Sequence, residues 1–433
     1  LSLAAMVVAG LASSSFAADT LADAFKNGKV SGELKAWYFD KSVEDKTGDN
    51  NANLTNVGLT LGFVTDSLYG FYAGATYQGS SMPFVSSGDK ADTRDRFREH
   101  EYASGSVLSE AYLGYKIGKT NAKIGRQYIS TPLVNGAGSR FFKESFEGVT
   151  VVNTDIPQTT LVAGYVNKFQ GRTSYISSNK TPGTEGDAPT FEKSAVFNGA
   201  GVYDFDGAYT AAVINKSITG LTLTAQYGVF KDVEASATKI ADADVYYTEA
   251  NYVLPVANFK LGFDVNYRGS RTDTGLDSSN LEGDMFGARV SIKDLAGFGA
   301  SFAATTTDSN DDVILGMGNG TSTYTGTLIQ GSAGSTATAD TDAYKFQVNY
   351  DFSTVGVKGL SALAQYQWSD QGETKAGAKG TDYTSIAGGV YYKVAALPGL
   401  TTGLEYETRE KDDKAKNTKF DTDELWFKAG YKF

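Results

Sequence analysis

The side chains able to do covalent or metal chemistry are few. The chain carries one His and no Cys. His100 sits in Arg94-Asp95-Arg96-Phe97-Arg98-Glu99-His100-Glu101. Nucleophilic hydrolysis needs a Ser or Cys with a base held beside it on a rigid wall. One His among loop charges supplies neither the partner nor the wall. Zero Cys excludes disulfides and thiolate metal sites, and a zinc centre needs further His. Asp308-Ser309-Asn310-Asp311-Asp312 opens like a calcium loop, which requires Gly at its sixth position and a bidentate acid at its twelfth. Val313 and Asn319 occupy those positions, so the stretch reads as a solvated loop. Gly316-Met317-Gly318-Asn319-Gly320 lacks the Lys-Ser/Thr of a phosphate loop and reads as flexible loop. The residues call for no enzyme, no cofactor and no resident metal.

What remains is fixed charge. Lys123, Arg126, Arg140, Arg268, Arg289 and Lys345 are the basic candidates, Glu110 and Glu147 the acidic ones. Opposed charges across a narrow aqueous passage orient dipolar solutes and focus the field. Such groups guide rather than react. They need a scaffold that turns charged side chains toward water on its inside.

The final stretch has the required pattern. Leu425, Phe427, Ala429, Tyr431 and Phe433 share one face, and Glu424, Trp426, Lys428, Gly430 and Lys432 the other. Period-2 alternation makes this a β-strand. An open apolar edge invites aggregation, whereas a strand that closes a barrel has no open edge. Tyr431 and Phe433 are therefore read as a barrel-closing C-terminal signal for the barrel-assembly machinery. Gly (49), Tyr (26) and Phe (25) far outnumber Pro (7), which suits strands and membrane interfaces. Past the first residues there is no apolar run long enough for a transmembrane helix, and a β-barrel needs none.

The same alternation recurs along the chain. Phe259, Leu261, Phe263, Val265 and Tyr267 oppose Lys260, Asp264 and Arg268, while Tyr344, Phe346, Val348 and Tyr350 oppose Lys345, Gln347 and Asn349. Strand 1 is expected over Val30–Phe39, followed by a polar loop at Asp40–Asn53. Tight links such as Gly118-Lys119-Thr120 and Leu397-Pro398-Gly399 alternate with long polar loops such as Lys168–Asp204, Asp232–Asp242, Thr307–Asp340 and Glu410–Phe420. Counting them gives nine hairpins and 18 strands, with Ala195-Val196-Phe197 assigned to a loop; 16 strands is the alternative. A soluble sandwich shares this period. The many long hairpins, and aromatics at strand ends such as Tyr267, Tyr350, Phe352 and Tyr406, favour a transmembrane barrel. Arg or Lys at the midplane of a lipid-facing wall costs about 2–4 kcal/mol, and charge is scarce on the apolar faces.

Leu1 to Ala17 reads as a secretion signal without its basic n-region, cut after Ser15-Phe16-Ala17. Residues 18–433 then form one barrel, opening with a short periplasmic helical turn over Ala18–Lys26. Export plus a barrel places the protein in the outer membrane of a Gram-negative cell. The net charge of −11, with no Lys/Arg run, argues against nucleic acid.

The segment Ile129–Lys143 is the candidate for a loop folded inward as a constriction. Its surroundings carry a resemblance. Gly125-Arg126-Gln127, Thr131-Pro132-Leu133, Gly138-Ser139-Arg140 and Phe146-Glu147-Gly148-Val149, preceded by Ser109-Glu110-Ala111-Tyr112-Leu113, resemble the third-loop region of OprD-type outer-membrane porins. Where that family commonly has Asp before Ser-Arg, this chain has Gly138. The resemblance implies an all-β, 18-stranded channel with an inward third loop and basic residues that guide small carboxylates, amino acids and similar nutrients. The chain is also similar in outline to campylobacterial major porins, which implies trimers; monomer and homotrimer both stay open. Strict alternation puts Arg126 on the face of Ile124, so lining the lumen would require a bulge there or a position above the membrane.

A water-filled barrel of this size passes small hydrophilic solutes passively, selected by width and wall charge. The alternative is a barrel acting mainly through its outer loops as adhesin, receptor or structural protein. In either case the Arg-rich segment around His100 suits external anions such as lipopolysaccharide phosphates.

Overall fold

The structure, a computed structural model, describes residues 18–45, 48–85, 90–97, 100–102, 104–174, 188–236, 238–331, 333–373, 377 and 379–433. The expected secretion signal lies outside these residues.

Eighteen strands make the wall: β1 (Lys29–Asp45), β2 (Gly48–Val64), β3 (Phe71–Ser81), β4 (Gly105–Ile117), β5 (Thr120–Gln127), β6 (Ser145–Asn153), β7 (Thr159–Gln170), β8 (Gly207–Asn215), β9 (Leu221–Ser236), β10 (Lys239–Val256), β11 (Phe259–Thr272), β12 (Asp284–Leu295), β13 (Phe298–Thr307), β14 (Thr341–Asp351), β15 (Leu360–Gln371), β16 (Thr381–Lys393), β17 (Leu400–Asp413) and β18 (Thr418–Lys432). Each pairs antiparallel with its neighbours along the chain. β18 then returns to β1, from Glu33↔Lys432 to Glu44↔Asp421. Phe433 extends the closure by exchanging both backbone hydrogen bonds with Gly32, at 3.0 and 3.1 Å. The wall therefore has no open edge.

The faces are inverted relative to a soluble protein. On β18, Leu425 and Phe427 are exposed on the outside, while Glu424 and Trp426 are buried inside. On β11, Phe263 and Val265 point out, while Asp264, Asn266 and Arg268 are buried within. Apolar side chains on the outer surface meet hydrocarbon, and polar ones line the interior.

Three stretches expected as loops are largely strand. The hairpins β1–β2, β9–β10 and β17–β18 run through most of 40–53, 232–242 and 410–420. Beyond the membrane both faces meet water, so the apolar alternation stops while backbone pairing continues. Short connections gather at one rim with the helix Leu21–Lys26; long connections gather at the other, the extracellular rim by the rule for such barrels.

Long connections fill part of the interior. Residues 128–144 and 308–340, with the hairpin Ser194–Asn198/Gly201–Asp204, fold inside the wall. Met317 pairs antiparallel with Phe197 and lies parallel to Val134, so three connections share one small internal sheet. The 316–320 stretch, expected to be flexible, is thus a packed element. Gly316 (φ 132°) and Gly318 (φ 88°) adopt backbone conformations that disfavour side chains, and a Cβ on Gly316 would lie 2.5 Å from Leu133 O. Leu133, Val134, Phe146, Phe169, Phe197, Phe230, Val245 and Met317 form a dry core against β6, β7, β9 and β10. Two large internal cavities among the described residues lie on the other side, against β1–β3 and β17–β18.

Candidate solute pathway

The segment 128–144 is tied to the wall at several places. Gln226 of β9 accepts from Leu133 N at 3.0 Å and donates to Thr131 Oγ1 at 2.9 Å. Arg268 of β11 reaches Pro132 O at 3.4 Å. Lys35 of β1 donates to Phe141 O at 2.9 Å. Gln78 of β3 makes a two-way pair with the Lys143 backbone, both bonds at 2.9 Å. The segment 308–340 is tied just as firmly. Glu407 accepts from Ile329 N at 2.6 Å and Gln330 N at 3.3 Å, and Ser385 Oγ donates to its other oxygen at 2.9 Å. Lys345 donates to Gly326 O at 2.7 Å. The buried Glu144 joins the two segments: it accepts from Ala137 N (2.8 Å), Asn319 N (2.9 Å) and Asn319 Nδ2 (2.6 Å). Arg172, from the connection before β8, ion-pairs with it at 3.4 Å.

Arg140 occupies the junction of these segments with the wall. Its Nε lies 2.5 Å from Glu101 and its Nη2 donates to Ile329 O at 2.8 Å. Its guanidinium stacks 4.3 Å from the Trp426 ring. On the extracellular side it borders a cavity of about 550 Å³ lined by Lys41, Val43, Asp95, Arg96, His100, Glu101, Gln330, Arg409 and Glu424. His100 Nδ1 lies 3.2 Å from Arg172 Nη1. Burial, then the Arg172, Arg140 and Lys41 charges, push the His100 pKa well below its ordinary value. Burial also draws the Arg172 guanidinium down to about 10.

Beneath the 128–144 segment lies a second cavity of about 670 Å³. Its wall includes Glu33, Lys35, Gln78, Tyr128, Ser130, Lys143, Asn319 and Lys432. Several inward-facing lysines, Lys35 and Lys143 of this cavity among them, pack on rings. Lys143 sits 3.9 Å from the Tyr128 ring and Lys123 of β5 sits 4.3 Å from Tyr112. Lys428 lies 4.4 Å from Trp426 and 5.0 Å from Trp37, and Lys35 lies 5.5 Å from Trp37 and Phe141. Arg409 lies 5.2 Å from Tyr383. Among the described residues, Lys123, Lys143 and Arg409 have ring contacts but no carboxylate at ion-pair distance. A cation over a ring keeps its charge available to a further ligand.

The other candidates divide by position. Glu110 faces inward, accepting from Thr76 Oγ1 at 2.6 Å and Tyr128 N at 3.3 Å. Arg289 faces inward, paired with Asp264 at 2.8 Å and stacked 4.5 Å from Tyr324. Lys345 faces inward but is occupied by Gly326 O. Arg268 is buried, donating to Leu315 O (2.6 Å) and Ser322 O (3.1 Å) as well as Pro132; it acts as a strut for both inner segments. Arg126 and Glu147 are on the other side of the wall. β5 has no bulge, so Arg126 keeps the outward face of Ile124, pairs with Glu147 at 3.2 Å and stacks on Phe191. Glu147 also binds Lys168 at 2.9 Å. This trio sits on the outer surface at the extracellular ends of β5, β6 and β7. Tyr431 and Phe433 face outward at the opposite rim.

Several site residues escaped the sequence reading: Lys143, Arg409, Glu144, Glu407 and the whole 308–340 segment. For Arg409 and Glu407 the signal was present, because both occupy the polar face of an alternating strand. For 308–340 no period announces a loop that packs against another loop.

A family model described as outer membrane porin, OprD family, matches residues 25–433. No curated protein sequence matches the chain. Among solved structures, a BenF-like porin from Pseudomonas fluorescens Pf-5 superposes with a TM-score of 0.75 at 15% identity, covering 95% of this chain and 100% of that one. Pseudomonas aeruginosa OpdK with vanillate gives 0.74 at 15% identity, covering 94% and 100%. Pseudomonas aeruginosa OpdO gives 0.73 at 18% identity, covering 95% and 98%. At these identities the superpositions speak to the fold, and the family match speaks to descent. The chain belongs to the OprD family of outer membrane porins, barrels that pass small hydrophilic solutes passively across the outer membrane of a Gram-negative cell.

Proposed function

We propose that the channel favours small anions with a flat, aromatic or conjugated part, and that they travel off-axis along the β1–β5 and β14–β18 side of the lumen. The observation carrying this reading is the set of inward cations that rest on rings without a carboxylate partner: Arg409 above the 128–144 segment, Lys143 and Lys123 below it. A carboxylate can pair with such a cation while its ring meets the neighbouring aromatic edge. The apolar core against β6–β10 supports the off-axis route, since packed side chains of the described residues fill that side of the lumen. Vanillate, held by the similar OpdK, is an aromatic carboxylate of this kind.

In this reading Arg140, Arg289, Glu110 and Lys345 set the field of the narrow region, Arg268 holds its walls in place, and Arg126 and Glu147 belong to the outer rim. Arg96 borders the internal cavity, which leaves Arg94, on the helix Lys90–Phe97, as the residue of that segment suited to external anions such as lipopolysaccharide phosphates. Tyr431 and Phe433 serve as the assembly signal, and the oligomer is a monomer or a homotrimer. The test is a reversal potential across a sodium benzoate gradient in planar bilayers. Benzoate should permeate measurably more than a larger non-aromatic anion such as gluconate. Equal permeability of the two would defeat the reading.

A further inference from the structure

The helix Leu21–Lys26 plays no part in the solute route, yet it is firmly placed. Thr20 Oγ1 caps it by accepting from Asp23 N at 3.1 Å. The turn between β2 and β3 holds it through backbone bonds, Asp66 N to Ala24 O and Ala18 N to Ser67 O, both at 2.8 Å. Ala24 is buried against that turn. Phe25 stacks on Phe63, with ring centroids 6.1 Å apart and planes 19° apart. Phe63 belongs to the outward face of β2, being two residues on from the exposed Leu61 and paired with Val30. The helix is therefore docked on the outside of the wall, at the short-turn rim.

Its free face is apolar. Leu21 and Phe25, four residues apart and so on one side, are 64% and 55% exposed. They continue the lipid-facing band of Val30, Leu34 and Phe433, all exposed. Lys26 and Lys29 flank that face, exposed and without an ion pair among the described residues. An apolar face with basic residues at its border is the pattern of a helix lying in a membrane interface, with rings among acyl chains and ammonium groups at phosphates.

We propose that this helix is an interfacial foot, seated among the phospholipids of the periplasmic leaflet, with anionic headgroups engaging Lys26 and Lys29. Continuity with the hydrocarbon-facing band selects lipid as the occupant. A second copy of the chain could cover the same face, and the test separates the two.

The chain has no Cys, so one introduced Cys takes a nitroxide label at a unique site. Labels at Leu21→Cys, Phe25→Cys and, on the opposite face, Asp23→Cys are compared in vesicles of phosphatidylethanolamine and phosphatidylglycerol. The heat-dependent gel shift of the folded barrel confirms folding of each. Expected is severalfold preference for oxygen over a water-soluble nickel chelate at 21 and 25, and the reverse at 23. Equal accessibility at all three overturns the proposal, as does dipolar broadening at 21 or 25, which would put a second chain there. Replacing phosphatidylglycerol by phosphatidylcholine should make position 25 shallower in the otherwise wild-type chain but not in K26Q/K29Q. If the two respond alike, the headgroup assignment fails.

Discussion

The Glu144 carboxylate lies 2.6 Å from Asn319 Nδ2, joining residues far apart in sequence inside the barrel. The same side chain accepts from the Asn319 and Ala137 amides and pairs with Arg172. One buried acid thus couples three connections that the wall alone would leave independent. Glu144→Ala would strand the Arg172 guanidinium and three donors, a defect of about 3–5 kcal/mol for a broken buried pair. Glu144→Gln should cost less, about 1–3 kcal/mol, because the amide oxygen can still accept. Hydrogen exchange over residues 313–320 reads both. Unchanged protection in the Ala variant would mean that the segments are held without Glu144.

Lys123→Gln and Lys143→Gln remove inward cations that rest on rings. Each should shorten the residence of benzoate in the channel about fivefold, the equivalent of ~1 kcal/mol. Arg126→Gln, on the outer face, should leave it unchanged. Single-channel dwell times check this, and an Arg126 effect as large as the lysine effects would place the route wrongly.

His100 is held neutral by burial and by nearby Arg172, Arg140 and Lys41, with its pKa well below the ordinary value. The sign follows from linkage. The unfolded segment, with a His pKa of about 6.5, binds the proton more readily than the docked one. Docking is therefore fully favoured above about pH 6.5 and weakens as pH falls below it toward the depressed folded value. Amides 100–102 should lose protection below that pH in the wild type and hold it in His100→Gln, after correction for intrinsic exchange. Parallel pH profiles in the two proteins would contradict this.

Ser301 and Phe302 are chain neighbours on opposite sides of β13, Phe302 exposed on the outside. Phe302→Arg puts a charge in hydrocarbon near midplane and should cost about 2–4 kcal/mol of folding free energy in lipid. Ser301→Arg points into the lumen and should cost far less. Equilibrium refolding into vesicles measures the difference, and equal costs would be incompatible with the assigned faces.

Much of the wall was legible because each strand is a two-sided boundary between hydrocarbon and water. β11 and β18 show it residue by residue: Phe263 and Phe427 outside, Asp264 and Trp426 inside. Extramembrane strand ends were not, since beyond the membrane the outer face of a strand also meets water and the apolar period stops while backbone pairing continues. Arg126 had a face that alternation already specified, and it keeps that face. Inner packing was invisible for another reason. Met317 lies beside Val134 and Phe197 through contacts between distant loops, and no local period encodes such a meeting. Glu144 and Arg268 look like any other charged residues until the partners that bury them are in place.

The most direct measurement compares benzoate with benzyl alcohol, a neutral molecule of similar shape, in single-channel recordings of the wild-type protein. Benzoate should interrupt the current in discrete events whose frequency rises with concentration, and benzyl alcohol at the same concentration should not. Equal interruption by both, or by neither, would contradict a route built from ring-supported cations.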